Sequence, residues 1–571
     1  MSNKRWNYIN KADDKPFANE LCKKLDIHPI IATVLVNREI KSEESALLFL
    51  GKSMSSVRHP FELKDTQKAA TRIKNAIEAK EKIVIYGDYD VDGITATAIL
   101  YKFLSEQGAD VSFYIPNRSD EGYGINMLAL QQIKNSGASL LITVDCGITA
   151  VGEVEFAKTL GVDVIVTDHH TCKDELPKAY ALINPKQPEC TYKFKDLAGV
   201  GVAFKLVLAL ALEMGYSARE YFDKYIDLVA VGTIADVVSL TDENRVFVAN
   251  GMKTIQNTKN IGLQALFETA GFGEKAISTG TISFAIAPRI NAAGRVGSAN
   301  LAVELLVTPS IERAREIALI LEEENKLRQQ TETEILKDAL DMIENMENAD
   351  EKKVFVLAKE DWHHGVIGIV ASRIVDRFYK PTILISLKDN LGKGSGRSVK
   401  GFNLFNALNS CSDILLKYGG HELAAGLGLN YSDIDEFDKQ INKYAADVLD
   451  GVELVPYISI DAELDTYDIT IKAAQAISAL EPFGMGNPQP VFSLCSCSLV
   501  LARTLTDGKH CKLVVSKNGK NFEFIGFGMG SLTEHFVVGD KLDIAFTMGI
   551  NVYRGETNLQ LLIKDARASV R

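Results

Sequence analysis

Between Lys82 and His170 short apolar runs alternate with amphipathic stretches. The runs are KIVIYG, DVSFYIP, LLITVD and DVIVTDHH, and GITATAILYKFLSEQG, NMLALQQIKNSG and AVGEVEFAKTLG lie between them. Near-continuous apolar strands separated by helices at short spacing predict a doubly wound parallel sheet. Two longer apolar segments follow, GVAFKLVLALALEMG and YIDLVAVGTIADVV, and read as buried helices. Upstream, residues 1–80 are mixed and mostly helical, with DTQKAATRIKNAIEAKE a well-formed amphipathic helix. From Pro309 to Met346 the chain is charged and free of Pro and Gly after its start, which predicts a long connecting helix. A second α/β region begins at KVFVLAKEDWHHGVIGIVASRIVDRFYKPTILIS, and short alternating strands from about Glu453 predict a small OB-like β-barrel. The expected division is 1–80, 81–305 (catalytic α/β), 306–350 (connecting helix), 351–452 (second α/β) and 453–571 (barrel).

Composition changes this picture little. With 571 residues, several domains are expected; 46% hydrophobic and 24% charged residues are ordinary for a globular chain. The N-terminal segment MSNKRWNYINKADDKPF lacks the apolar core of a secretory signal, and no apolar run is long enough for a bilayer, so a cytoplasmic location is expected. The eight cysteines are scattered without a C-x-x-C, as in a reducing compartment; Cys495 and Cys497 read as one face of a strand. A net charge of −12 argues against indiscriminate binding to nucleic acid but leaves room for a local basic groove.

The charge pattern carries the chemistry. GDYDVDG places Asp88, Asp90 and Asp92 at the mouth of a buried strand. Asp145 ends LLITVD, Asp168, His169 and His170 end DVIVTDHH, and Asp236 lies in GTIADVV, read here as a fourth strand end. In open α/β sheets such ends line one crevice. Taken singly, an Asp after a strand is an ordinary helix cap or turn residue, and a lone buried histidine an ordinary core residue. Together, crowded carboxylates cannot all ionise without a compensating cation. Oxygen and imidazole donors suit Mn²⁺ or Mg²⁺, and the surplus of acids suggests two ions, able to activate water and clamp a phosphoryl group.

DYDVDG, VDCG, DHH and GTIADVV resemble the four successive motifs of the DHH phosphoesterase superfamily. IPNRSDEGYG, APRINAAGR, WHHGVIGIVASR, GSGRS, GGHELAAG and EPFGMGNPQPVF are similar to its bacterial single-stranded-DNA exonucleases, from about residue 83 to about residue 493. The resemblance implies metal ligation by Asp90, Asp92, Asp145, His169 and Asp236, with Asp145 between the ions, His170 at the scissile phosphate, and Asp88 and Asp168 as supporting acids. Family II pyrophosphatases, relatives within the superfamily, place a histidine where Tyr86 stands, so pyrophosphatase activity is not expected.

On the substrate side, Arg397, Ser398, Gly420 and His421 in GSGRS and GGH resemble phosphate-contacting stretches; GKGSGRS also reads as a glycine-rich turn. Arg289, Asn291 and Arg295 in APRINAAGR suit phosphate contact along a strand, or structural pairing with acidic helices. Arg118 and Tyr123 in NRSDEGYG offer a cation and a stacking ring. Trp362 reads as core or contact, His363 likewise, and His364 as surface. The resemblance implies 5′ to 3′ digestion of single-stranded DNA to mononucleotides in repair and recombination. The expected partners are single-stranded DNA, a single-strand-binding protein and a helicase, with no membrane and a monomeric chain. A dinucleotide phosphodiesterase, a short-oligonucleotide ribonuclease and a non-catalytic scaffold are the alternatives.

Overall fold

The computed structural model describes residues 4–9, 12–117, 121, 124–553 and 555–570. Its contacts divide into two compact units: residues 58–238 with 250–454, and residues 1–57 with 239–249 and 455–571.

The larger unit begins with the predicted parallel sheet. Its strands are β1 (Lys82–Gly87), β2 (Asp110–Tyr114), β3 (Leu140–Val144), β4 (Asp163–Thr167) and β5 (Ala181–Ile183), in the order β2-β1-β3-β4-β5. All pairings are parallel. Side chains alternate across the sheet, and both faces are covered. Val84, Tyr86, Leu141, Val164 and Val166 pack against the helices Met127–Asn135 and Val151–Thr159. The opposite face meets α1 (Val91–Glu106) and α2 (Gly199–Glu213), and α3 (Ala218–Ala235) packs on both of those helices. This strand order reverses between β1 and β3, and such a reversal opens a crevice at the strands' carboxyl ends. The acids predicted after β1 and β3 therefore flank the switch point.

Two expectations change here. Asp236 does not follow a strand: it caps the C-terminus of α3. YIDLVAVGTIADVV forms the buried helix that its apolar run predicts, so Asp236 stands at a helix end and not at a strand end. APRINAAGR is likewise a helix, α4 (Ala287–Val296), with Pro288 in its first turn and a π-helical turn, Ile282–Ile286, before it. Alanines without a β-branched run favour that outcome.

The connecting helix α5 spans Ile311–Glu344. The second α/β region carries β6 (Phe355–Glu360), α6 (His364–Phe378), β7 (Thr382–Lys388), β8 (Leu391–Arg397), β9 (Lys417–Gly420) and β10 (Ala424–Asn430), in sheet order β9-β10-β8-β7-β6. GKGSGR is thus a strand, not a turn. A Cβ at Gly392, Gly394 or Gly396 would lie 2.8 Å from Ile385, Leu427 and Leu404 respectively, so these glycines admit close packing of their neighbours.

In the smaller unit, strands Phe492–Leu505, His510–Lys517, Lys520–Gly526, Glu556–Ala568 and Lys541–Tyr553 pair in a ring and close a five-stranded barrel. Cys495 and Cys497 are both buried and reduced, with Ser496 at φ 53° where the register shifts. The helices Lys15–Leu25, Pro29–Asn37 and Glu43–Gly51 share its core through Leu21, Ile31, Val34 and Phe49.

Candidate metal centre

The loop after β1 is shaped by its own acids. Asp90 caps α1, its Oδ1 accepting from Asp92 N at 2.9 Å and Gly93 N at 3.1 Å. Gly93 is required by proximity: a Cβ there would stand 2.6 Å from Asp88 O. Asp92, fully buried, accepts from Gly199 N at 2.6 Å and from Val200 N at 2.8 Å, the first amides of α2. A helix N-terminus thereby holds the carboxylate. Asn291 Oδ1 accepts from Val91 N at 3.2 Å, so this residue of α4 braces the same loop.

Asp145 leaves β3 with φ 60°, an uncommon conformation for a residue with a side chain. Its carboxylate fills the place where Gly199 has no Cβ; one there would lie 2.3 Å from Asp145 Oδ1. His169 Nε2 lies 3.2 Å from Asp145 Oδ1, 3.7 Å from Asp236 Oδ2 and 4.0 Å from Asp92 Oδ2. The adjacent histidine is turned to other work: His170 Nδ1 and Asp168 Oδ1 are 2.7 Å apart. Asp168 also accepts from the backbone N–H of Ile148, His169 and His170 at 2.8, 2.7 and 3.0 Å. Asn184 Nδ2 donates to His170 O at 3.0 Å and fixes the backbone of that pair. Val237, next to Asp236, is β-branched yet held at φ 62°.

Burial and mutual repulsion govern the electrostatics. Burial, and then Asp90, push the Asp92 carboxyl up to about 7. Burial, Asp92 and Asp90 push Asp236 up to about 9, and the same causes hold Asp145 well above the carboxylate range. Burial, with the charge of His170, lowers the His169 imidazole to about 3. Burial works the other way on the Asp168–His170 pair and is overridden by their hydrogen bond: Asp168 stays below its ordinary value and His170 above. His169 Nε2 and Asp236 Oδ2 are buried without a hydrogen bond. Neutral imidazole nitrogen and carboxylates eager for a positive charge form a donor set that fits a hard divalent cation. Among the described residues, three groups of donors lie within reach of a common ion: Asp88, Asp90 and Asp145; Asp92, His169 and Asp236; and Asp145, His169 and His170.

The substrate-side residues are placed differently. Arg295 lines a cavity of about 190 Å³ with Asn117, Ser298, Asn300 and His363, and its Nη1 donates to Gly365 O at 2.8 Å. Arg289 pairs with Glu322 of α5 at 2.6 Å and donates to Ala285 O. Arg397 Nη1 donates to Gly396 O at 2.8 Å, and Ser398 Oγ to Phe402 O at 2.7 Å. Gly420 needs its glycine, at φ 143° and with a Cβ position 2.5 Å from Ala424 O; His421 beside it is exposed. Arg118 and Tyr123 lie outside the described residues. Trp362 is core at 4% exposure, His363 Nδ1 caps α6 by accepting from Gly365 N, and His364, read as surface, is half-buried. Tyr86 is core too, its hydroxyl donating to Gly124 O at 2.9 Å. Gly199, Val200 and Asn184 were not expected. Their only sequence signals are a GVG at a helix start and an Asn-Pro after a short strand.

A parallel sheet that gathers Asp88–Asp92, Asp145, Asp168–His170 and Asp236 at its switch point defines a metal-dependent phosphoesterase of the DHH class. Family profiles agree: the DHH family N-terminal domain matches residues 82–233, the DHHA1 domain 351–447 and the RecJ OB domain 460–565. The single-stranded-DNA-specific exonuclease RecJ of Bacillus subtilis (strain 168) is 41% identical over 571 residues, covering 100% of this chain and 71% of the relative. That of Haemophilus influenzae is 33% identical, covering 94% of this chain and 96% of the relative. The crystal structure of RecJ in complex with Mn²⁺ from Thermus thermophilus superposes with a TM-score of 0.85 at 30% identity, covering 100% of this chain and 80% of that one. Its Mg²⁺ complex gives 0.79 at 29% identity, covering 100% and 79%. The chain belongs to the RecJ family of single-stranded-DNA-specific exonucleases. Among the described residues no helix is long and apolar enough to cross a membrane.

Proposed function

We propose that this chain is a metal-dependent exonuclease that hydrolyses single-stranded DNA from its 5′ end to mononucleotides, in DNA repair and recombination. The observation that carries the reading is the sharing of donors. Asp145 belongs both to the group with Asp88 and Asp90 and to a group with His169, and His169 also joins Asp92 and Asp236. Shared donors suit two neighbouring ions: Asp92, His169 and Asp236 would hold one, Asp88 and Asp90 the other, with Asp145 between them. Asp88 is then a direct ligand, a stronger role than that of supporting acid. Divalent ions bound there supply charge neutralisation of phosphoryl oxygens and an acidified water.

The chain's own groups do the rest. Asp168 holds the His170 imidazole through Nδ1, favours its charged form and leaves Nε2 to the substrate. As water attacks phosphorus and the bond to the 3′ oxygen breaks, Nε2 delivers a proton to that leaving oxygen. Arg295 and His363 on one side, and Arg397, Ser398, Gly420 and His421 on the other, take the strand's phosphates; Arg118 and Tyr123 are assigned to substrate binding by their sequence alone. Asn291 and Arg289 position this wall through Val91 and Glu322. We assign catalysis to residues 81–305, phosphate binding to 351–452 and strand capture to 453–571. The chain acts as a cytoplasmic monomer, on strands delivered by a helicase or coated by a single-strand-binding protein.

The test is digestion of 5′- and 3′-labelled single strands and duplex with Mn²⁺, Mg²⁺ or chelator. Metal-dependent release of mononucleotides from the 5′ end of single strands is expected. Preference for a dinucleotide, release from the 3′ end, or activity in chelator would each overturn the reading.

A further inference from the structure

Backbone strain collects one residue beyond the Asp236 carboxylate. Asp236 caps the end of α3, and Val237 after it stands at φ 62°. A β-branched residue in the left-handed region is an outlier that persists only where its surroundings impose it. Val237 is 60% exposed, so packing of its own side chain does not impose it. The constraint comes along the chain, from α3 on one side and from Ser239 and Leu240 on the other.

Ser239 and Leu240 belong to the smaller unit and are anchored within it. Leu240 N donates to Met485 O at 2.8 Å, and Asn244 Nδ2 to Ser239 O at 3.1 Å. Leu240 is buried against Gly484, where a Cβ would lie 2.6 Å from its Cδ1. Ser239 packs on Gly486, where a Cβ would stand 2.2 Å from Oγ and 3.3 Å from Cα. Both glycines lie in EPFGMGNP, a motif far in sequence from every donor of the centre. This loop is itself pinned. Gly484 and Asn487 exchange backbone hydrogen bonds at 3.0 and 3.1 Å. Asn487, buried, donates through Nδ2 to Leu480 O and Pro482 O and accepts at Oδ1 from Arg38 Nη1. Arg245, also buried, lies 3.8 Å from the centroid of the Phe49 ring and donates to Glu481 O and Pro482 O. Buried guanidinium groups committed to the carbonyls of one loop make it a rigid anchor.

We propose that the EPFGMGNP loop positions Asp236: by fixing Ser239 and Leu240 it imposes the turn at Val237, and that turn sets where the Asp236 carboxylate stands. Only Val237 and Val238 separate the anchored serine from the aspartate, so a displacement of Ser239 has two residues over which to dissipate. Gly486 carries the anchor, because its missing Cβ is the space that Ser239 occupies. Outer groups of this kind tune metal affinity without touching the ion. The proposal rests on the nuclease reading, in which Asp236 holds metal with Asp92 and His169.

The experiment applies Mn²⁺ calorimetry and single-strand digestion to the wild type and four variants of the full chain. Gly486→Ala should weaken one bound ion about tenfold or more and leave the other unchanged. At limiting Mn²⁺ its kcat should fall, with KM for the strand unchanged and turnover recovered in excess Mn²⁺. Gly486→Ala with Ser239→Gly reopens the space and should recover Mn²⁺ affinity. Gly484→Ala, whose Cβ meets only the flexible side chain of Leu240, should shift the same ion by less, and it carries the test if Gly486→Ala does not fold. Gly519→Ala controls for backbone strain: its φ of 74° matches the 70° of Gly486, but its Cβ meets nothing, so Mn²⁺ binding should not change. Wild-type affinity in every folded variant at Gly484 or Gly486, equal weakening of both ions, or the same loss in Gly519→Ala overturns the positioning while leaving the nuclease reading intact. A wild type that binds no Mn²⁺ and digests no strand refutes the nuclease reading and the positioning with it.

Discussion

Asp92 has no solvent exposure and uses both carboxylate oxygens on backbone amides, whereas Arg289 and Arg397 rest half-buried against carbonyls and a glutamate. The acids are fixed before any ligand arrives. Fixing them costs free energy, because burial and mutual repulsion drive protons onto Asp92, Asp145 and Asp236. Arg397 carries no such strain and can exchange a carbonyl for a phosphate, while Arg289 stays with Glu322. A centre that must position an attacking group is built rigid. A surface that must let a strand advance by one nucleotide is built from replaceable contacts.

The sharpest way to break this contrast is Asp145→Asn. Asn tolerates the left-handed backbone that Asp145 adopts, so the fold should survive. Turnover should fall on the order of a thousandfold, while the metal-free thermal midpoint stays at or above that of the wild type. A variant with near-normal turnover in Mn²⁺ would refute the placement of Asp145 between the ions. Next in size is Gly199→Ala, whose Cβ would displace the Asp145 carboxylate. A shift of that order should lower kcat about 100-fold with unchanged strand affinity; full activity would show that the cradle is not needed.

Rigid acids also make a pH signature. Asp92 and Asp236, raised to about 7 and about 9, bind more protons in the native state than unfolded above about pH 4. Their contribution to metal-free stability is therefore complete below that pH and is lost as pH rises through 7 and towards 9. Thermal midpoints at pH 5, 7 and 9 in chelator should fall in that order. Saturating Mn²⁺ should flatten the series, since a cation replaces the protons; a parallel fall with metal would contradict this.

The smallest effects belong to the arginines. Arg397→Ala should weaken single-strand binding roughly tenfold and reduce the slope of log affinity against log salt by about 0.7. Arg289→Ala, which loses its pair with Glu322, should change affinity by no more than about twofold. Equal salt slopes for the two variants would erase the distinction drawn between them.

What was legible in the sequence follows the range of the interactions. The four apolar strands before Asp88, Asp145, Asp168 and after Asp110 are local patterns, and they appear where periodicity put them. The amides that hold Asp92 lie more than a hundred residues away, at Gly199 and Val200, and no local pattern announces them. Asn291 was singled out for phosphate, yet its bond to Val91 appears only once α4 is docked. GKGSGR misled because Gly is ordinarily a turn residue; its strand exists for the sake of Ile385, Leu427 and Leu404 packed over it. Asp236 ends a helix that its apolar run announces, and its reading as a strand end fails because the donors of the site come from helix ends as well as strand ends.

We propose that the crowded acids form a two-ion centre that trades protons for metal. Titrating the wild type with Mn²⁺ at pH 7 in two buffers of different ionisation enthalpy tests it directly. Two ions bound per chain, with protons released on binding, is the predicted result; one ion or none, or binding with no proton release, would contradict it.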